Sequence, residues 1–507
     1  MERPSHAGRE LLSRGYLVPN PTRYDEAKSR LMERPRATRA SADASESGPS
    51  EVRRFNGAFD RSTTPPDPTG AVGLQRYVQL VNTRFAIFRR DGSRISTGTL
   101  GSLTGLGGKF PFLTDPQVVW DAATRRFYYI VLDFDIALRT RSNGFDFAFG
   151  FSKTAKPNTA RDWCKYKLSF GYDNPSVGRF RVPDQPHMGD TKGFLLWGVN
   201  VFDVTLFQPR YLSSDVDWIS KPKAGRSCPA AASFRTGAQR KLKTASGSRA
   251  FTPVVANQID SSAIGWVVAT TPLATERSRG HVLSLFRITR SRSGDAVIQT
   301  QGRSVRVAPY GMPPPAPQKG ARATLDTLDG RLLQAVAAVD PSRHSMALWT
   351  QHAVAGGAGS IIRWYELDPF HHRPFQSGEV SDDTLFVFNG AISPDRVVRT
   401  GVRRFGGAMV LGFNTSSKKT DSAVQTVSKI GARRQSSFLR IRQSAGPAVD
   451  RSCRDTGTCR WGDYSGASPD PASPLTKTHG SVWLTNMWNV ANKPGVDWRT
   501  VIWQARP

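Results

Sequence analysis

The amino-acid sequence predicts an all-β fold in which many small sheets are arranged around a ring. From Phe55 onwards, short runs rich in Val, Ile, Phe, Tyr and Trp alternate with turns rich in Gly, Pro and Asp. The 45 Gly, 34 Pro and 12 Trp residues suit a turn-rich chain of short strands. No long amphipathic helix pattern interrupts these runs. We therefore expect a β-propeller over residues 55–507, preceded by a polar, mostly disordered leader over residues 1–54.

A recurring corner sets the expected number of blades. Similar corners, in which Pro, Gly or Asp stands beside an apolar strand, follow one another at intervals of about 70 residues after a shorter first interval. The corners lie at Asp67, Asp115, Asp184, Thr252, Thr324, Ile392 and Asp463. Seven corners predict a seven-bladed propeller, with six or eight blades as alternatives. The apolar run 499–505 is expected to close the ring. Several β-sandwiches in series would need linkers, and the sequence after residue 55 contains no clear one.

Four motifs occur in order along the chain: DPTGAVGLQRYVQLVNTRFAIFRRDG, DPQVVWDAATRRFYYI, PDQPHMGDTKGFLLWGVNVFD and RWGDYSGASPDP. Together they resemble a family of secreted bacterial β-propeller proteins whose function is mostly unassigned. The resemblance spans roughly residues 55–507 and implies the propeller fold. The DPQVVWD corner is also similar to blade corners of sialidase-like and arabinanase-like glycosidases, but the repeated Asp-box of sialidases is not present in clean form.

The corner carboxyl groups are the candidate chemical site. Blade corners lie beside the central axis, so Asp67, Asp115, Asp184, Asp190 and Asp463 are expected near one another at one face. Carboxylate oxygens are ligands for calcium, and two facing carboxylates perform glycoside hydrolysis. The alternative is that each Asp caps its own turn. We name Asp67, Asp184 and Asp463 as candidate calcium ligands, without regarding any cofactor as certain.

His187 is the candidate proton-transfer residue. It stands between Asp184 and Asp190 in PDQPHMGD, and a histidine among acids acts as an acid, a base or a metal ligand. A hydrogen-bonded structural role is the alternative. The candidate catalytic residues are Asp115, Asp184, His187 and Asp463. The candidate ligand contacts near the axis are Asp67, Asp190 and Tyr464.

The chain is strongly basic. It has 70 Lys and Arg against 41 Asp and Glu, a formal net charge of +29, and most of that charge lies after the leader. Basic stretches attract polyanions, and we name Lys221, Arg240 and Lys241 as candidate contacts. A solvated, Arg-rich surface is the alternative. Aromatic residues do not interleave with these stretches as nucleic-acid grooves require, so no specific nucleic-acid partner is expected.

The four cysteines predict two disulfides. Cys453 and Cys459 flank a short polar turn, which leaves Cys164 and Cys228 to pair with each other. Disulfides favour an extracellular or cell-envelope location, although the sequence shows no apolar signal core. No apolar run is long enough to span a bilayer.

Three functions fit these observations. We favour an exported, monomeric binding scaffold for a carbohydrate or a polyanion. The second is a glycoside hydrolase or lyase that uses the axial carboxylates, and whether the protein is an enzyme stays open at this point. The third is a structural or adhesive surface protein.

Overall fold

Seven antiparallel sheets form the blades of a propeller in the computed structural model. The structure describes residues 17–33, 48–106, 111–135, 145–174, 179–204, 209–222, 227–490 and 497–507. The innermost strands contact one another in cyclic order, from blade 1 to blade 7 and back to blade 1. This closed order confirms the predicted seven-bladed propeller.

In each blade the first principal strand lies nearest the axis and its partners follow outwards. Blade 1 consists of Thr69–Val72, Arg76–Val81, Arg84–Arg89 and Arg94–Thr99. Blade 2 consists of Pro111–Asp121, Arg126–Asp135, Phe145–Ser152 and Trp163–Ser169. Blade 3 consists of Asp173–Asn174, Arg179–Asp190, Phe194–Asp203, Arg210–Ser220 and Thr236–Gln239. Blade 4 consists of Phe251–Val255, Gly265–Thr270, Gly280–Arg290, Ala296–Ile298 and Arg303–Tyr310.

The remaining blades follow the same plan. Blade 5 consists of Asn257–Gln258, Leu332–Asp340, Ser345–Gly356, Gly359–Asp368 and Arg373–Val380. Blade 6 consists of Phe386–Pro394, Ala408–Ser416, Ala423–Ile430 and Leu439–Gln443. Blade 7 consists of Gly466–Pro469, Val482–Asn489, Trp498–Arg506 and Ser50–Asn56. Two short ladders add Thr324–Leu325 with Thr458–Cys459 and Val397–Arg399 with Val402–Arg404. The helices are α1 (Pro21–Glu33), α2 (Leu100–Thr104) and α3 (Arg451–Thr456), with 3₁₀ turns at Ala160–Asp162 and Ala231–Ser233.

Blade 7 closes the ring by combining strands from both parts of the chain. Trp498–Arg506 pairs antiparallel with Val482–Asn489 on one side and with Ser50–Asn56 on the other. The predicted closing strand therefore has the expected role. Its outer partner begins inside the region that we assigned to a polar leader.

The blades are apolar on both faces because each one is packed between two neighbours. Every residue of Phe145–Ser152 and of Phe194–Asp203 is buried. Phe147 of blade 2 meets Trp197 of blade 3 with ring centroids 5.3 Å apart. Removing these faces from water provides the main stabilisation of the ring.

Helix α1 and the residues just before it pack against the propeller. Leu17, Val18, Tyr24 and Ala27 are buried, the last three in a cluster with apolar residues of blades 4 and 5. From the sequence we expected no contribution to the core from residues 1–54. The difference arises because only a few apolar side chains make this contact, too few to stand out in a polar segment.

Both expected disulfides are present. Cys164 in the outer strand of blade 2 bonds to Cys228, and Cys453 bonds to Cys459 across helix α3. Among the residues that the structure describes, no helix has the length and hydrophobicity needed to cross a bilayer.

Candidate functional site

The innermost strands of five blades have, within them or just before them, a corner with an unusual backbone. The residues Asp67, Asp115, Gln185, Thr252 and Asn389 have φ between 45° and 52°, in the left-handed region. In blades 1 to 4 a proline follows directly. β-Bulges lie at the same points in blades 2, 3, 4 and 6. The corners therefore turn the chain sharply at the axis, as the repeat predicts.

Three predicted corner positions differ from the observed ones. In blade 3 the left-handed residue is Gln185 rather than Asp184, and in blade 6 it is Asn389 rather than Ile392. Thr324 lies away from the innermost strand of blade 5 and pairs with Thr458. A repeat of short polar motifs predicts the spacing between corners along the chain. It does not predict which residue of each motif occupies the turn, because several neighbouring residues suit that position.

Four of the predicted acids come together where the innermost strands begin. Asp67, Asp115, Asp184 and Asp463, which we call the axial acid cluster, are each 2% exposed or less. The backbone N–H of Asp463 donates to Asp67 Oδ1 at 2.6 Å. Asp115 lies within electrostatic range of both Asp184 and Asp463. The interpretation that each Asp only caps its own turn is therefore wrong.

Asn82 and Tyr464 complete the hydrogen bonds of this cluster. Asn82 Nδ2 donates to Asp67 Oδ2 at 2.6 Å, and Asn82 Oδ1 accepts the N–H of Asp115 at 3.0 Å. The Tyr464 hydroxyl donates to Asp115 Oδ2 at 3.3 Å. One amide and one phenol thus link blades 1, 2 and 7 at the axis.

Two buried arginines supply positive charge beside the cluster. Arg460 Nη2 lies 2.5 Å from Asp463 Oδ2. Arg331 makes two bonds of 2.7 Å to Asp329 and also donates to Gln185 Oε1. Charges removed from water need such partners, because an isolated buried charge is very unfavourable.

Burial raises the pKa of all four cluster carboxyl groups, since an ionised carboxylate loses its hydration there. Asp184 and Asp463 raise the pKa of Asp115 further by repulsion. Arg460 opposes the rise at Asp67 and at Asp463. The cluster therefore retains protons at a pH at which ordinary aspartates are ionised.

A small axial cavity of about 40 Å³, partly open to solvent, lies beside the cluster. His187 lines this cavity, is 2% exposed and lies with its ring 5.3 Å from that of Tyr464. Burial and the nearby Arg331 lower the pKa of His187 to about 3, so the ring is neutral. Its Nε2 atom has no hydrogen-bond partner among the described residues.

Three side-chain amide groups in the same cavity also have an atom without a hydrogen-bond partner among the described residues. Gln117 Nε2, Asn257 Oδ1 and Gln334 Oε1 line the cavity and lack a partner within the part of the chain that the structure describes. A buried polar atom without a hydrogen bond costs about 1–3 kcal/mol. The cavity thus offers donors and acceptors to water or to a polar ligand.

The segment before helix α1 contacts the acid cluster at Asp184. The N–H of Leu17 donates to Asp184 Oδ2 at 2.9 Å, and Arg331 Nη2 donates to the carbonyl of Leu17 at 3.4 Å. The Leu17 side chain packs in the apolar cluster that contains Met188 and Phe251. Asp184 and Arg331 are therefore already engaged by the protein itself.

Asp190 and Lys221 lie outside the axial acid cluster. Lys221 Nζ is 2.6 Å from Asp190 Oδ2 and 2.9 Å from Asp121 Oδ2, and its side chain is 5% exposed. Burial raises the pKa of Asp190 to about 6. We expected Lys221 to face a polyanion, but this geometry makes it a buried ion-pair partner.

The other two predicted cationic contacts differ from each other. Arg240 pairs with Asp215 and Asp217, both at 3.1 Å, and lies 4.4 Å from the ring centroid of Tyr172. Lys241 is exposed. Much of the charge in this basic stretch is therefore neutralised internally.

The calcium hypothesis stays a prediction. Asp67 and Asp463 are already engaged by Asn82, by a backbone N–H and by Arg460. Within the described ranges, no group of three or more His, Cys, Asp or Glu side chains is placed to hold a metal ion.

Sequence reasoning missed Asn82, Arg331 and Asn389. Asn389 Nδ2 donates to Asn414 and Asn486 at 3.1 and 3.0 Å, and so joins blades 6 and 7 near the axis. Each of these residues is a single polar side chain beside an apolar run, and that pattern could have identified it. The pattern is clearest for Arg331, in DGRLL.

Comparison with known proteins assigns no family to this chain. Neither a model of any known protein family nor any curated protein sequence matches this chain. Solved structures with a similar fold include the Hadza microbial sialidase Hz136, at 9% identity and a TM-score of 0.38 over 86% of this chain and 74% of that one. The Dos1 propeller is 10% identical with a TM-score of 0.36, over 90% of this chain and 95% of that one. An α-L-arabinofuranosidase from Lactobacillus brevis is 11% identical with a TM-score of 0.28, over 63% and 89%.

Proposed function

We propose that this protein is an exported propeller that binds a neutral saccharide at the axial face, where the acid cluster meets the axial cavity. The observation that carries the proposal is the set of unpaired polar atoms in that cavity, beside Tyr464. Binding pockets typically combine a concave shape with a few convergent polar groups.

The mixture of donors and acceptors supports a polyhydroxylated ligand. Gln117 Nε2 can only donate, whereas Asn257 Oδ1 and Gln334 Oε1 can only accept. A sugar hydroxyl does both, so adjacent hydroxyls satisfy all of these groups. The neutral His187 ring uses its one N–H in a bond to the Leu333 backbone, so its unpaired Nε2 adds an acceptor.

The charges beside the cavity support a neutral ligand rather than a polyanion. Four carboxyl groups lie at this end of the axis. A bound anion would either hold these groups in their protonated form or be repelled by them once they ionise. The nearby Arg331 and Arg460 are engaged by Asp329 and Asp463. The two disulfides favour an oxidising, extracellular setting, in which glycans are common ligands.

A hydrolase is the second candidate, and the raised carboxyl pKa values favour it. Glycoside hydrolysis needs one carboxylic acid that stays protonated near neutral pH and a second, ionised carboxylate. Asp115, with its pKa raised to about 8, is a candidate for the protonated acid. Release of 4-nitrophenol from aryl glycosides, lost in Asp115→Asn, is the expected result if this candidate is correct.

Calorimetric titration with neutral oligosaccharides tests the binding proposal. We expect His187→Ala and Gln334→Leu to weaken binding by about two- to tenfold each, since a lost hydrogen bond is worth about 0.5–1.5 kcal/mol. Lys241→Gln, at an exposed position, is the control and should bind like the wild type. Affinity that falls steeply with salt would contradict a neutral ligand and would favour a polyanion.

A further inference from the structure

We infer that residues 17–33 form an autoinhibitory lid over the axial site, and that this lid must leave before a saccharide can bind. The inference rests on the proposed function for the identity of the ligand. The contact of Leu17 with Asp184 and Arg331, in contrast, is a property of the structure alone.

The first contact of the lid uses groups of the site itself. Leu17 offers its N–H to Asp184 and its carbonyl to Arg331. A sugar hydroxyl placed at the same point would need the same carboxylate and the same guanidinium. Lid and ligand therefore compete for Asp184 of the acid cluster and for Arg331 beside it.

The second contact fixes helix α1 to the rim of blades 4 and 5. Lys28 Nζ donates to the carbonyl of Pro313 at 2.8 Å, to Thr327 Oγ1 at 3.1 Å and to the carbonyl of Leu328. Tyr24 lies beside this ammonium, with its ring centroid 5.4 Å away. Three oxygens thus bind one charge and define a single docked position for the helix.

The docking is weak enough to be reversible. Five apolar side chains of the segment are buried, those of Leu17, Val18, Pro21, Tyr24 and Ala27, whereas the blades bury whole strands on both faces. Burial also lowers the pKa of Lys28 to about 8, which shows that the docked charge is less well solvated than in water. Segments with few buried apolar contacts open locally without unfolding the rest of a protein.

The ring does not depend on the lid. Blade 7 is closed by Ser50–Asn56 through its ladder with Trp498–Arg506, a contact separate from helix α1. Release of residues 17–33 therefore leaves the seven blades complete. Ligand binding would displace the lid by mass action, because the open state alone binds.

Carboxyl labelling of the full chain tests the lid. Leu17→Glu places a carboxylate in an apolar cluster next to Asp184 and should release the segment. The matched control is Met32→Glu, the same kind of substitution in the same segment at a position that is 42% exposed. The probe is a water-soluble carbodiimide with glycine ethyl ester, read by mass spectrometry at Asp184 and Asp463.

We expect labelling of Asp184 and Asp463 to be on the order of tenfold faster in Leu17→Glu than in the wild type or in Met32→Glu. Unchanged circular dichroism and an unchanged thermal transition would show that the blades remain intact. If Leu17→Glu perturbs the blades, Lys28→Gln provides a second route to release. Equal labelling in both lid variants and the control would overturn the inference.

A saccharide titration separates this inference from the proposed function. The probes are maltohexaose, cellohexaose and arabinohexaose, each titrated into Leu17→Glu and into Met32→Glu. Tighter binding to Leu17→Glu supports both ideas. Faster labelling without binding of any of these neutral probes keeps the lid and counts against the saccharide proposal, whereas equally tight binding to both variants overturns the lid alone.

Discussion

Substitution of Arg331 tests how much a buried ion pair beside the axial site contributes to the stability of the protein. Its side chain is fully buried and is paired with Asp329 by two bonds of 2.7 Å. In Arg331→Met, the Asp329 carboxylate loses this buried partner. Removing one partner of a buried ion pair costs about 3–5 kcal/mol. We expect a loss of this size in the free energy of unfolding.

The double variant Arg331→Met with Asp329→Asn should recover part of this loss. It removes the uncompensated charge, so that the lost hydrogen bonds to Gln185 and to the Leu17 carbonyl form a main part of the remaining cost. At roughly 0.5–1.5 kcal/mol each, these amount to about 1–3 kcal/mol. The double variant is therefore expected to be more stable than the single one by about 2 kcal/mol.

Equilibrium urea denaturation, followed by Trp fluorescence, measures both values. Arg235→Met is the control, because the Arg235–Asp295 pair has the same chemistry on the surface, with side chains 49% and 38% exposed. Exposed pairs contribute at most about 1 kcal/mol. A double variant as unstable as Arg331→Met, or a control as costly, would refute the reasoning that burial of the charge decides the effect.

The other predictions concern pH, the disulfides and the buried lysine. Because the cluster pKa values are raised in the folded state, stability should fall as pH rises from about 5 to about 8, and Asp115→Asn should reduce the fall in melting temperature. Replacing Cys164 and Cys228 by Ser opens a loop of sequence separation 64 and should cost about 3–4 kcal/mol, measured by denaturation. Lys221→Met leaves two buried carboxylates unpaired and should cost about 3–5 kcal/mol, whereas Lys241→Gln should be close to neutral.

The sequence was sufficient for the blades because their signal is periodic. Corners spaced by about 70 residues and apolar runs of strand length recur throughout. Asp67, Asp115 and Asp463 could be placed near the axis for the same reason. The ring geometry then brings together residues that are 396 positions apart, such as Asp463 and Asp67.

The contacts of single side chains could not be predicted in this way. Lys221 belongs to a basic stretch, and only the fold shows that Asp121 and Asp190 surround it. The docking of Leu17 depends on one backbone N–H and one carbonyl, which leave no pattern in the sequence. The local composition of a segment indicates how polar it is, but it does not indicate which residues the segment contacts in the fold.

The pairing of Ser50–Asn56 with Trp498–Arg506 has a consequence for biosynthesis. The paired residues Ser50 and Arg506 are 456 positions apart. At about 5–20 residues per second, the ribosome needs on the order of a minute to make the second strand after the first. During that time Ser50–Asn56 has no ladder partner, and unpaired strand edges promote association between chains. Chaperone protection of the nascent chain is therefore most needed until the final strand has been translated.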